Sequence, residues 1–190
     1  VFWNSRRINT WPITNARPTG ENIIAFGDSL TEGTGASQGN TYPQILSDMI
    51  GEPVVNRGVG GNTTRDALDR LGEDVLDEDP RVVIVMLGGN DILRRIPQDS
   101  QFSNLRTIVE RIQDNGALVV LVGLKEVGLV TGGGYADNYR ELAEQTGAVL
   151  VPDIMDGIMF DRELMSDQIH PNAQGYRKMA ERIEKVAGEY

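Results

Sequence analysis

The chain has 190 residues, 39% hydrophobic and 24% charged, ordinary proportions for a globular protein built on one core. Its 28 acidic residues against 18 basic ones give a formal net charge of -10, which disfavours the phosphate-neutralising surface that nucleic-acid binding needs. Cysteine is absent and histidine occurs once, so disulfides, thiolate chemistry and a multi-histidine metal site within one chain are excluded, and imidazole catalysis could use only His170.

Residues 1–21 show no period and carry Pro12, Pro18 and Gly20. They read as an extended N-terminal arm leading into a single domain over residues 22–190. Val1-Phe2-Trp3 followed by Arg6-Arg7 fits two readings. One is the trailing edge of an excised signal or anchor, which would place the protein outside the cytoplasm and give it its one membrane contact. The other is an ordinary packed arm. No apolar run in the chain is long enough to span a bilayer.

From residue 22 onward, short apolar, β-branched runs alternate with longer segments of helical period, the pattern of βαβ units and a parallel sheet. The runs are Asn22-Ile23-Ile24-Ala25-Phe26, Pro53-Val54-Val55-Asn56, Val82-Val83-Ile84-Val85-Met86-Leu87, Ala117-Leu118-Val119-Val120-Leu121-Val122 and Ala148-Val149-Leu150-Val151. The third and fourth are apolar throughout, as central strands covered on both faces should be. Phe102, Leu105, Ile108, Val109 and Ile112 define one helical face, stopped by Asn115-Gly116. A second helix is expected over residues 135–146, ended by Gly147. A third carries Tyr176, Met179, Ala180, Ile183 and Val186 behind Pro171. The acidic run over residues 73–79 reads as a solvated helix end rather than a cation site.

The polar and glycine-rich clusters fall just after the strands, where open α/β sheets bind ligands. They are Gly27-Asp28-Ser29-Leu30, Gly58-Val59-Gly60-Gly61-Asn62-Thr63-Thr64, Gly88-Gly89-Asn90-Asp91 and Asp167-Gln168-Ile169-His170-Pro171. A serine after a strand more often caps a helix than attacks a substrate. Here a base is available: His170 could take the Ser29 proton, and Asp167, three residues earlier, could fix the ring tautomer. Asp28 is an alternative acid, but as the neighbour of Ser29 it more naturally shapes the turn. Gly61 could bring a bare backbone N–H to an oxyanion, and Asn90 could add a neutral side-chain donor. Turn geometry alone would also explain both. Two loops, residues 92–97 and 124–135, carry more apolar side chains than solvated loops need. Ile92, Leu93, Ile96, Leu124, Val127, Leu129 and Val130 either wall an acyl groove or pack beneath their own loops.

Together these four clusters resemble the SGNH (GDSL) hydrolases, a family named for a Ser, a Gly, an Asn and a His in separate blocks. Ser29, Gly61, Asn90 and His170 match the four in order, and Asp167 completes the D-x-x-H block. Within the family the chain is similar to small bacterial arylesterases, acyl-CoA thioesterases and lysophospholipases. The resemblance implies a flavodoxin-like three-layer α/β sandwich with a five-stranded parallel sheet in order 2-1-3-4-5. It also implies a serine esterase or thioesterase for short- to medium-chain acyl groups. Its triad would be Ser29, His170 and Asp167, with an oxyanion hole of Ser29 N–H, Gly61 N–H and Asn90. No metal or cofactor is implied, and the partner would be a small acyl ester or thioester. A carbohydrate O-acetylesterase and a non-catalytic flavodoxin-like binding module are the alternatives. The nucleophile motif of α/β-hydrolases is not met, because residues 27–31 lack its second glycine. Nor is the dinucleotide motif, because Gly33-Thr34-Gly35 and Gly58-Val59-Gly60 lack the third.

Overall fold

Each of the five apolar runs becomes a strand: β1 (Asn22–Gly27), β2 (Val54–Gly58), β3 (Pro80–Met86), β4 (Leu118–Val122) and β5 (Val149–Val151). A computed structural model describes residues 8–125, 127 and 133–190. The strands are all parallel and lie in the order β2-β1-β3-β4-β5. That is the topology implied by the family resemblance. The two prolines shift the strand starts in opposite directions. Pro53 stays outside β2, whereas Pro80 opens β3, a first position where a missing N–H leaves the ladder intact. β4 and β5 are buried along their whole length, as the apolar runs require.

The helices are α1 (Ser29–Glu32), α2 (Tyr42–Ile50), α3 (Thr64–Asp74), α4 (Gly89–Leu93), α5 (Gln98–Asp114), α6 (Tyr135–Thr146) and α7 (Ala173–Ala187). They pack in two groups, α2 with α7 and α3 with α5 and α6, and so cover both faces of the sheet. The expected helical stripes are its core contacts. Leu105, Ile108, Val109 and Ile112 of α5 are fully buried, as are Tyr176, Met179 and Ala180 of α7. The start of α7 departs from the sequence reading. Its cap is Asn172 rather than Pro171, with the Asn172 side chain accepting from the Gln174 and Gly175 N–H groups. α3 opens on a full capping box between Thr63 and Asp66.

The acidic run is a solvated helix end as expected, with Glu73, Asp77 and Asp79 exposed, and two of its carboxylates find basic partners. Asp74 pairs with Arg70, and Glu78 with Arg57 at 3.2 Å. The N-terminal segment is bonded closely to the domain. Asn9 accepts from Leu150 N at 2.8 Å, Trp11 Nε1 donates to the Ala148 carbonyl at 2.9 Å, and Asn15 donates to the Gln113 and Ala117 carbonyls. In a parallel strand, residues two apart present their N–H and C=O to the same neighbour. Asn9 and Trp11 therefore meet the outward backbone groups of β5, the edge strand of the sheet among the described residues.

The sheet order sets the position of the site. The order in which strands are added reverses about β1, which has β2 on one side and β3 on the other, so a crevice opens beyond the carboxyl ends of β1 and β3. Ser29 follows the first of these strands and Asn90 the second.

Candidate active site

Gly27 ends β1 in close quarters, for a Cβ there would lie 2.0 Å from Thr31 Oγ1. The chain can therefore turn at once into α1. Asp28 caps that helix, its Oδ1 accepting from Leu30 N at 3.1 Å. The capping task that would ordinarily explain a serine here thus belongs to its neighbour, and Ser29 Oγ is left for another partner. That partner is His170 Nε2, 3.0 Å away across 141 residues of sequence.

His170 sits in a loop closed by a bridge between Met165 and Pro171 and by the Ser166 N–H donating to the His170 carbonyl at 2.8 Å. Asp167 holds the imidazole from the far side. Its Oδ2 lies 2.8 Å from His170 Nδ1, while its Oδ1 accepts from the Ile169 and His170 backbone N–H groups, each at 2.8 Å. What burial it has raises the Asp167 carboxyl, but these three hydrogen bonds outweigh that and hold it below its ordinary value. It is therefore an anion at neutral pH, facing the ring nitrogen opposite the serine.

Asn90 lies in the first turn of α4. Its Nδ2 is 2.9 Å from the Asn62 carbonyl and 3.3 Å from Asp28 Oδ2. α4 is entered through Gly88, whose φ of +115° and position against Gln101 and Tyr139 admit no side chain. Asp91, the next residue, is fully buried and binds α3 rather than the crevice. It accepts from Thr64 N at 2.9 Å and Thr64 Oγ1 at 2.7 Å. Asp28 is also buried. Desolvation pushes its carboxyl up to about 6, against the lowering effects of the Leu30 N–H and the nearby His170, while the Asp91 charge adds to the rise.

Ser29, Asn90 and His170 share one small cavity of about 30 Å³, room for one or two waters. Leu93, Leu124 and Val127 from the proposed acyl groove are among its walls. Ile92 is not: it is 1% exposed and belongs to the core beneath α4. A one-residue step turns a helix by about 100°, so Ile92 and Leu93 point to different sides. Ile96 is half-buried and does not line the cavity. Leu129 and Val130 lie outside the described residues. Gly61 is likewise not among the walls. It has a φ of +79°, precedes the Asn62 that receives the Asn90 amide, and accepts from Arg94 Nη2 at 2.8 Å.

Met155, Met159 and Ile169 are also among the walls and were absent from the residues expected by sequence. Ile169 stood within the His170 block and could have been inferred; the two methionines lie in a run of turns without period. Met155 and Met159 also border a larger groove of about 540 Å³. Arg70 was missed as well. Its guanidinium lies 4.4 Å above the Phe26 ring and donates to the Gly27 and Arg57 carbonyls and to Asn62 Oδ1. It thereby ties the ends of β1 and β2 to the loop that carries Gly61 and Asn62.

Residues 25–178 match the model of the GDSL-like lipase/acylhydrolase family. An arylesterase of Vibrio mimicus is 29% identical over 178 residues, covering 89% of this chain and 89% of its own. The thioesterase 1/protease 1/lysophospholipase L1 of Escherichia coli K12 is 29% identical over 158 residues, 80% of this chain and 76% of its own. Among solved structures, AlinE4, an SGNH-hydrolase family esterase, superposes with a TM-score of 0.72 at 31% identity, over 90% of this chain and 97% of that one.

Proposed function

The chain belongs to the GDSL-like lipase/acylhydrolase family and is a carboxylic ester hydrolase, and from that premise we propose that it cleaves short-chain acyl esters or thioesters through an acyl-serine intermediate on Ser29. The observation that carries this reading is the unbroken chain from Asp167 through His170 to Ser29, at 2.8 and 3.0 Å. A serine hydroxyl is a weak nucleophile until a base takes its proton, and His170 is the one imidazole in the sequence.

In the proposed reaction Ser29 Oγ attacks the acyl carbonyl while its proton passes to His170 Nε2. The Asp167 carboxylate keeps the proton of the free ring on Nδ1 and stabilises the imidazolium. The Ser29 and Gly61 N–H groups and the Asn90 amide receive the developing oxyanion, donors that typically contribute about 3–4 kcal/mol each. Collapse expels the alcohol or thiol, protonated by His170, and leaves the acyl group on Ser29. His170 then takes a proton from water, which attacks the acyl carbonyl and releases the acid. The reaction calls for no metal or organic cofactor.

The small cavity that Ser29 shares with Asn90 and His170, walled in part by Leu93, Leu124 and Val127, favours short acyl groups. The same observation favours a second reading, an O-acetylesterase acting on acetylated carbohydrates. Both predict an acyl-enzyme, and relative kcat/KM on acetylated sugars and p-nitrophenyl acetate separates them.

The test of the mechanism is Ser29→Ala. The variant should fold as the wild type does, lose at least three orders of magnitude in kcat, and escape labelling by a fluorophosphonate that modifies the wild type. Retention of a tenth of wild-type turnover by purified Ser29→Ala would refute the assignment. A wild type that the fluorophosphonate fails to label would indicate a non-catalytic binding module instead.

A further inference from the structure

A side-chain amide can serve an oxyanion only if its nitrogen, not its oxygen, faces the reacting carbonyl. The two ends are nearly the same size, so hydrogen-bond partners, not packing, decide which way it points. Around Asn90 both partners of Nδ2 are acceptors: the Asn62 carbonyl at 2.9 Å and Asp28 Oδ2 at 3.3 Å. Turning the amide over would set its oxygen against both.

Neither acceptor is free to move away. The Asn62 loop is held by Arg70, which donates from Nε to Asn62 Oδ1 at 2.7 Å while its other nitrogens grip the Gly27 and Arg57 carbonyls. Asp28 is fixed by its other oxygen, for Oδ1 accepts the Leu30 N–H that opens α1, and Oδ2 is the atom left to face Asn90. A carboxylate that only capped α1 would have no need to be buried. Asp28 is 3% exposed, feels the charge of a second buried acid, Asp91, and borders the same cavity as Ser29.

We propose that Asp28 is a positioning residue of this site, whose carboxylate holds the Asn90 amide with Nδ2 turned toward the carbonyl that Ser29 attacks. The proposal rests on the reading of Asn90 as an oxyanion donor and gives the acid beside the nucleophile a task in the reaction. Of the two N–H groups of Asn90, one stays on the Asn62 carbonyl. The other, held by the longer contact to Asp28, is the one an oxyanion can share. An asparagine at position 28 inverts the arrangement. Its oxygen would keep the Leu30 N–H, its own NH₂ would then confront the NH₂ of Asn90, and the Asn90 amide would turn its oxygen to the oxyanion. Asp28→Asn should therefore behave as a loss of Asn90, with residue 90 untouched.

The experiment is kcat and KM on p-nitrophenyl acetate for the wild type, Asp28→Asn, Asn90→Ala and the double variant. Asp28→Asn should lose about as much kcat as Asn90→Ala, on the order of 10²–10³-fold, with KM changed by less than threefold. The double variant should be no worse than Asn90→Ala alone. The side-chain NH₂ signals of Asn90, identified by their loss in Asn90→Ala, should move in wild-type NMR spectra as the pH passes about 6, and should not do so in Asp28→Asn. The charges and phenols that face Asp28 are those of His170, Asp91, Tyr42, Tyr139 and Tyr176. The phenols are driven upward by burial and by this carboxylate, and stay neutral in that range. Should Asp28→Asn fail to fold, Asp28→Ser keeps an oxygen for Leu30 N–H but offers none to Asn90. It should lower kcat in the wild-type background and leave it unchanged in Asn90→Ala. The proposal is overturned if Asp28→Asn keeps kcat within threefold of wild type, if the two substitutions multiply, or if the Asn90 signals ignore residue 28. A wild type without esterase activity would overturn the esterase reading, and the NMR comparison would still decide the orientation.

Discussion

Asp28 should weaken the fold whose reaction it serves. Its carboxyl is raised from 3.8 to about 6, so the folded state takes up its proton more readily than the unfolded chain does. For an acid raised in this way, stability is full below about pH 3.8 and is lost as the pH rises through about 6. The difference between 3.8 and about 6, at ~1.36 kcal/mol per pH unit, amounts to about 3 kcal/mol. With 3% exposure there is little solvent to discount it. Asparagine has no such penalty and retains the oxygen that accepts from Leu30, and whatever its altered contact with Asn90 costs is the same at all pH values. The stability of Asp28→Asn relative to wild type should therefore improve by most of ~3 kcal/mol between pH 4 and pH 8. In a chain of this size, that corresponds to a relative gain in Tm of roughly 6–12 °C. Urea unfolding of both proteins at half-unit pH intervals measures it, and carboxylates common to both cancel. A difference in unfolding free energy that stays flat from pH 4 to 8 would refute the reasoning, because an acid buried with a perturbed affinity for protons cannot be pH-neutral.

Three further outcomes are expected. Asp167→Asn should lower kcat less than His170→Ala, since Asp167 orients the ring and steadies its charge but does not carry the transferred proton; the reverse order in purified variants would show that the acid does more. Met159→Ala, by widening the cavity beside Ser29, should shift the p-nitrophenyl ester profile from acetate toward hexanoate, at most ~0.8 kcal/mol or about fourfold per methylene accommodated. Parallel profiles for variant and wild type would mean that Met159 does not bound the acyl group. Asn172→Ala, which removes the cap of α7, should cost about 1 kcal/mol and lower Tm by roughly 2–4 °C, and an unchanged melting curve would show that the helix end is held by other contacts.

The strands were readable because a buried parallel strand has to be apolar on both faces, and few other segments of this chain are. The residues of the candidate site were readable for a different reason. The chemistry fixes their identities, and the sheet delivers them from separate strand ends, so each appears as a short polar block after an apolar run. The cavity walls follow neither rule. Ile92 and Leu93 are neighbours of the same chemical kind, yet the short helix α4 sends one into the core and the other to the cavity. Met155 and Met159 line the cavity beside Ser29 only because the turns after β5 return to the crevice. Arg70 gave no signal in the sequence. Its task became visible only once the carbonyls it binds, from residues 27 and 57, had been brought together by strand pairing.

The two ends of the sheet carry different hazards. β5 is short and lies at an edge, where unpaired N–H and C=O groups offer a template on which a strand from another molecule can be added. Asn9 and Trp11 answer those groups at Leu150 and Ala148 with side chains rather than with a sixth strand. A side chain can satisfy a backbone group without presenting a fresh row of its own, so the edge is closed instead of being passed outward. Replacing Asn9 and Trp11 together should reopen these groups of the edge, and the effect is expected first in solubility and fibril formation on storage, before any loss of turnover at the opposite end of the strands.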